Sequence, residues 1–229
     1  MHLNSLFFFQ AQVEEVKTAL HSKGGIKIPS TVKAILKASK NGGPLAKTGI
    51  LGRLGDLATI EEEYDVAIST ACGGFLNHIV VQTTAGAQHC LEFLRKNNLG
   101  RANFIPLDKM AKGAHDRPVT TPEQAPRLLD LIQPLKSQNH AGVMAAIFLA
   151  VNNTLVAPDL ETASRWAYDC GKRWRVVTID GKLLELAGTM SGGGKEVRKG
   201  GMRLRVSTNK SPDLLWRCRI LLIVFCAYY

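Results

Sequence analysis

The stretch Thr178-Ile179-Asp180-Gly181-Lys182-Leu183-Leu184-Glu185-Leu186-Ala187-Gly188-Thr189-Met190-Ser191-Gly192-Gly193-Gly194 reads as a strand, an Asp-Gly turn, a second strand and a glycine tract. The chain before it carries core-forming pattern; the chain after it is basic and poor in such pattern. Successive glycines cost backbone entropy on folding, so they are expected where a side chain would block the close approach of a ligand or another backbone. A phosphate-cradling loop is one such use, but it needs G-x-x-x-x-G-K-[ST]. With Lys195 as the lysine, the first glycine position holds Thr189 and the final hydroxyl position holds Glu196. The favoured expectation is a strand edge bare of side chains and open to another chain. The plain alternative is a flexible linker leaving the domain.

Working outward, the chain has 229 residues, 45% hydrophobic, enough for one core of one or two subdomains. Its 29 Lys and Arg against 19 Asp and Glu give a net charge of +10, concentrated on both flanks of the core. Residues 17–53 hold eight Lys/Arg and no Asp or Glu, and residues 165–205 hold ten Lys/Arg against four acids. Such clustering suits a polyanion such as DNA, and equally a solvated basic face without a ligand. Within it Lys172, Arg173, Arg175, Lys195, Arg198 and Lys199 are the candidate DNA contacts, expected to touch phosphates without reading bases. The five cysteines, Cys72, Cys90, Cys170, Cys218 and Cys226, contain no C-x-x-C pair, which argues against a disulfide framework and a zinc site and for a reducing compartment. His78, His89 and Cys90 lack metal-ligand spacing, so neither a metal nor another cofactor is expected.

Along the chain, Val13, Val16 and Leu20 make one heptad, and Pro29 opens a second helix through Val32, Ile35 and Leu36. A helix is expected over 60–72, a strand over 76–82, a helix over 85–97 and a strand over 102–106. After a proline-rich linker at 112–126, helix 143–151, strand 155–156, helix 160–170 and strand 175–179 follow in the same order. At an offset of 76, Asn77-His78-Ile79-Val80 falls on Asn153-Thr154-Leu155-Val156, and Ala87 on Ala163. Two related subdomains are therefore expected, about 45–111 and 126–194, giving an α/β (α+β) fold. The apolar run 220–229 is about half the ~20 residues a membrane span needs, so no membrane contact is expected.

The run Thr48-Gly49-Ile50-Leu51-Gly52-Arg53-Leu54-Gly55-Asp56-Leu57, followed by Tyr64-Asp65-Val66-Ala67-Ile68-Ser69, resembles the hinge domain of structural maintenance of chromosomes (SMC) proteins. Phe104-Ile105-Pro106-Leu107-Asp108, Asn153-Thr154-Leu155-Val156-Ala157, Arg173-Trp174-Arg175-Val176-Val177-Thr178 and Ser191-Gly192-Gly193-Gly194 keep that family's order, and the resemblance covers roughly 32–202. Gly-Arg-Leu-Gly-Asp-Leu together with Gly-Thr-Met-Ser-Gly-Gly-Gly points to the condensin type. The resemblance implies two subdomains of mixed sheets and helices with short flanking coiled-coil stubs: an arm remnant at 1–44, a hinge at 45–194 and a basic exit segment with a divergent tail at 195–229. It further implies a hinge that pairs with the hinge of another SMC subunit (a heterodimer within condensin), binds DNA non-specifically, and works on the chromosome in the nucleus, with the cytoplasm possible between divisions.

The implied dimerisation residues are Gly73, Gly74, Asn77, Ile79, Val81, Gly188, Gly192, Gly193 and Gly194, on two glycine-marked strand edges. Family members bind ATP through distant heads; no G-x-x-x-x-G-K-[ST] occurs here, so this stretch is expected to be an isolated hinge or a fragmentary gene product with no enzymatic activity and no small-molecule substrate. The competing reading is a small nucleotide-handling α/β enzyme, suggested by the βαβ-like order. No G-x-G-x-x-G follows any strand, and no nucleophile elbow is present.

Overall fold

The computed structural model describes residues 27–40, 42–110, 113, 116–135, 140–194 and 197–205. The heptad at 13–20, Lys195 and the apolar run 220–229 lie outside the described residues. Pro29 precedes α1 (Ser30–Ala38), which buries Val32 and Ile35. Then come β1 (Ile50–Arg53), β2 (Ala58–Ile60), α2 (Asp65–Cys72), a single-turn segment Gly73–Asn77, β3 (Ile79–Val81), α3 (Thr84–Lys96) and β4 (Phe104–Pro106). The second half runs β5 (Gln133–Pro134), α4 (His140–Val151), β6 (Leu155–Ala157), α5 (Leu160–Ser164) continuing into a wider turn Arg165–Asp169, then β7 (Val176–Thr178), β8 (Leu183–Leu184), β9 (Met190–Ser191) and β10 (Arg203–Leu204). No helix among the described residues is long and apolar enough to cross a membrane.

Two sheets of like design result, one ordered β1-β3-β4 and the other β6-β7-β8-β9. In each, a helix crosses between parallel strands: α3 between β3 and β4, α5 between β6 and β7. The helices start alike, because Thr83 Oγ1 accepts from the Gly86 N–H and Asp159 Oδ1 from the Thr162 N–H, again at an offset of 76. The third sheet joins the halves: β2 pairs antiparallel with β5, Thr59 opposite Gln133, and parallel with β10.

Strand alternation places the core in three layers. Val80, Val156 and Val177 point into a shared core between the halves, with Ile68 of α2 and Ile147 of α4. Ile79 and Val81 point the other way, onto α1 and α3, and Leu155 and Val176 onto Trp166, Trp174 and the linker's Ala125. The sequence expectation of one helix over 60–72 is corrected here: Ile60 belongs to β2, and the helix occupies only Asp65–Cys72. The reason is tertiary, since the partners of β2 lie far along the chain and no local period announces them. The packed body also continues past Gly194, because Met202 is 4% exposed in the shared core.

Candidate functional site

The hairpin expected around the Asp180-Gly181 turn forms, β7 pairing antiparallel with β8. Thr178 N–H donates to Lys182 O (2.8 Å) across the Asp180-Gly181 turn, and the Lys182 ammonium, 2.7 Å from Asp180, holds that carboxyl below its ordinary range. The next turn is closed by Glu185 N–H to Thr189 O and Gly188 N–H to Glu185 O, both 2.9 Å. Gly188 has φ +93°, a conformation that side chains resist, so its bareness is accounted for by this turn. β9 is the last strand of its sheet, and no described strand occupies its outer edge. Beside that edge Met190 is 56% and Leu186 54% exposed.

At the other glycine mark, Gly73 ends α2 and Gly74 lies exposed in the Gly73–Asn77 turn. A Cβ on Gly74 would meet no atom of the described residues within 4 Å, and its backbone has no positive φ. Asn77 is held from below, its Oδ1 accepting from Arg53 Nη1 (3.1 Å). Ile79 and Val81 require a correction: β3 is the middle strand of β1-β3-β4, and both residues are fully buried. They pack onto α1 and α3 and offer no edge to a partner. Nearby, burial pushes the Cys72 thiol up to about 12, so it stays protonated and inert, and burial moves His78 below its ordinary value.

A cleft of about 330 Å³ between α2 and the hairpin is lined by Thr70, Asp180, Gly192, Gly193, Gly194 and Arg198. Arg198 Nη1 also lies 3.9 Å from the place of a Gly73 Cβ, so Gly73 stands beside a residue that lines this cleft. Gly193 has φ +80° with open space around it, while a Cβ on Gly192 would sit 3.0 Å from the Lys182 Cγ.

Of the candidate DNA contacts, Lys172, Arg173, Arg198 and Lys199 are exposed. The Lys172 ammonium stands 4.3 Å from the Trp174 ring centroid, and Arg173 Nη1 donates to Leu186 O (3.4 Å). Arg175 is corrected. Its Nε and Nη2 bind Glu185 at 2.9 Å each, Nη1 binds Thr154 Oγ1 (3.1 Å), and Nη2 also reaches Ala71 O (2.8 Å), so four of its five N–H donors are committed inside the chain. Sequence reasoning missed this role because the acceptor at Ala71 lies in the other half. No group of His, Cys, Asp and Glu among the described residues is arranged to hold a metal ion.

The family described as SMC proteins Flexible Hinge Domain matches residues 47–167. The chain belongs to the SMC hinge family. Structural maintenance of chromosomes protein 4 of Schizosaccharomyces pombe is 52% identical over 171 residues, 74% of this chain and 12% of that protein. The Homo sapiens protein of the same name is 44% identical over 195 residues, 83% of this chain and 14% of that protein. The chain thus spans about an eighth of the length of these relatives, within their hinge region. Among solved structures, an asymmetric dimer of the Geobacillus stearothermophilus SMC hinge domain aligns with TM-score 0.59 and 26% identity, covering 94% of this chain and 81% of that one. The Pyrococcus furiosus SMC hinge shares the fold at TM-score 0.56 and 24% identity, covering 86% and 93%. By sequence the hinge is like those of the proteins named Structural maintenance of chromosomes protein 4.

Proposed function

We propose that this hinge pairs with the hinge of another SMC subunit, as a heterodimer within condensin, through two surfaces. One is the outer edge of β9 with Gly192, Gly193 and Gly194; the other is the turn carrying Gly73, Gly74 and Asn77. The observation that carries the reading is Gly74, which neither its own backbone conformation nor packing against the described residues requires to be glycine. The close approach of another backbone accounts for it, since partner strands sit about 4.8 Å apart. Exposed Met190 and Leu186 support a strand docking beside β9, because monomers normally blunt such edges. That the Geobacillus hinge is described as a dimer supports pairing as well. The basic residues Lys172, Arg173, Lys195, Arg198 and Lys199 then contact DNA phosphates without sequence preference, on chromosomes in the nucleus.

The test uses the purified chain and a partner SMC hinge in light scattering. The variants are Gly74→Val and Gly192→Val: a Cβ at Gly74 meets no described atom within 4 Å, and one at Gly192 meets Lys182 Cγ at 3.0 Å and its Cα and Cβ at 3.4 Å. The double variant is expected to keep its circular dichroism and lose the partner complex, each ~1.4 kcal/mol of lost contact weakening association tenfold. Undiminished affinity, or an unfolded double variant, refutes the pairing surfaces. Charge reversal at Arg198 and Lys199 should weaken binding of random duplex DNA and flatten its salt dependence; unchanged binding refutes that part.

A further inference from the structure

The two pairing surfaces belong to different halves of the chain, and one side chain ties them together. Arg175, 19% exposed, enters β7 and grips Glu185 with two parallel N–H···O bonds. Glu185 opens the β8–β9 turn, whose hydrogen bonds to Thr189 and Gly188 set the direction of β9 and the glycines after it. The same guanidinium donates to the carbonyl of Ala71, in the last turn of α2, two positions before Gly73. That carbonyl is among those a helix end leaves without an intrahelical partner, where a cation is favoured. The chain of bonds therefore runs from the Gly73–Asn77 turn through Arg175 and Glu185 to β9.

Resting on the pairing reading above, we infer that Arg175 is a positioning residue for pairing, holding the two glycine-marked surfaces at one fixed spacing. A partner that engages both surfaces gains from the second contact only if the spacing is preset; otherwise each association must order it anew. Lysine preserves the charge but presents a single nitrogen, which cannot reproduce the two-pronged grip on Glu185 while also reaching Ala71.

The experiment measures partner-hinge affinity for four forms of the 229-residue chain: the unaltered chain, Arg175→Lys, Gly74→Val, and both together. Arg175→Lys alone is expected to weaken pairing at least tenfold. Added to Gly74→Val, where one contact is already lost and no spacing remains to be held, it should weaken pairing less than threefold. An equal loss in both backgrounds overturns the inference, as does no loss in the unaltered background. Amide exchange of the chain without partner supplies a readout independent of pairing: in Arg175→Lys the 73–77 turn and the 185–189 turn should both exchange faster. Unchanged exchange overturns the positioning role whatever the affinities show, whereas faster exchange in a chain that never pairs refutes the pairing reading instead. If Arg175→Lys does not fold, Glu185→Gln weakens the same grip while leaving Arg175 on Ala71 and Thr154, and the same background dependence is required of it.

Discussion

Arg53 and Arg127 occupy equivalent corners of the two halves. Arg53 binds Asp56 through Nε and Nη2 and Asn77 through Nη1; Arg127 binds Asp130 and Asn153 through the same nitrogens. The leucine after each arginine is fully buried, and its N–H donates to the residue just before the strand opposite: Leu54 to His78 O and Leu128 to Thr154 O. The environments differ, with Arg53 and Asp56 at 4% and 31% exposure against 15% and 52% for Arg127 and Asp130. Removing one partner of a well-buried pair costs about 3–5 kcal/mol, while an exposed pair is worth about 0–1. Arg53→Gln is therefore expected to destabilise the chain by about 2–3 kcal/mol, short of the full value because Asp56 stays partly wet. Arg127→Gln should cost about 1. Equal shifts in urea unfolding would show that burial does not set the difference. The repeat was legible at Asn77 and Asn153 but thin elsewhere, because Arg-Leu-x-Asp recurs at an offset of 74 and the asparagines at 76, so an ungapped comparison splits the clamp.

At the scale of elements, the linker's last turn is held by charge. Glu123 and Gln124 have φ of 49° and 57°, a region that costs non-glycine residues free energy. The Glu123 carboxylate accepts from Arg165 Nε (3.0 Å), Arg165 Nη2 (2.9 Å) and Trp166 Nε1 (3.0 Å), which offsets the strain. Hydrogen bonding from Arg165 and then Trp166 lowers the Glu123 pKa from 4.5. A lowered carboxylate stabilises the fold above its unfolded pKa and loses that effect as pH falls through the folded one, so this turn should loosen below about pH 4.5. Glu123→Gly relieves the strain but removes the carboxylate, whereas Gln124→Gly relieves strain alone. The first should lower the melting temperature and red-shift Trp166 emission; the second should do neither. If both behave alike, the carboxylate is not what holds the turn. The linker itself was readable from its prolines, and α1, α3 and the hairpin from their periods and turn residues. β2, β5 and β10 were not, since strands of two or three residues carry no period and their pairing is settled by distant partners.

Considered whole, the molecule closes on itself at the segment after the glycine tract. Gly200 N–H lies 2.9 Å from both oxygens of the buried Asp65, and Gly201 N–H donates to the buried Ser69 Oγ (3.0 Å). A Cβ on Gly55 would come within 2.1 Å of Gly201 O, so the returning chain runs directly against the first half. Met202 enters the shared core, β10 joins β2, and Arg205 reaches Glu61 (3.1 Å). The first half thus receives both the incoming helix α1 and the outgoing strand, and a hinge ending at Gly194, as the sequence suggested, omits part of its own core. Burying a side chain such as Met202 is worth about 1.5–3 kcal/mol. Each buried polar group deprived of its hydrogen bond costs about 1–3 more. Losing these together approaches the 5–15 kcal/mol total of a typical domain. A chain ended after Gly194 is therefore expected to be largely unfolded at 37 °C, while one ended after Arg205 melts with the 229-residue chain. The measurement is thermal unfolding of the three side by side. Should the Gly194 form melt within a few degrees of the Arg205 form, the returning segment lies on the fold without holding it.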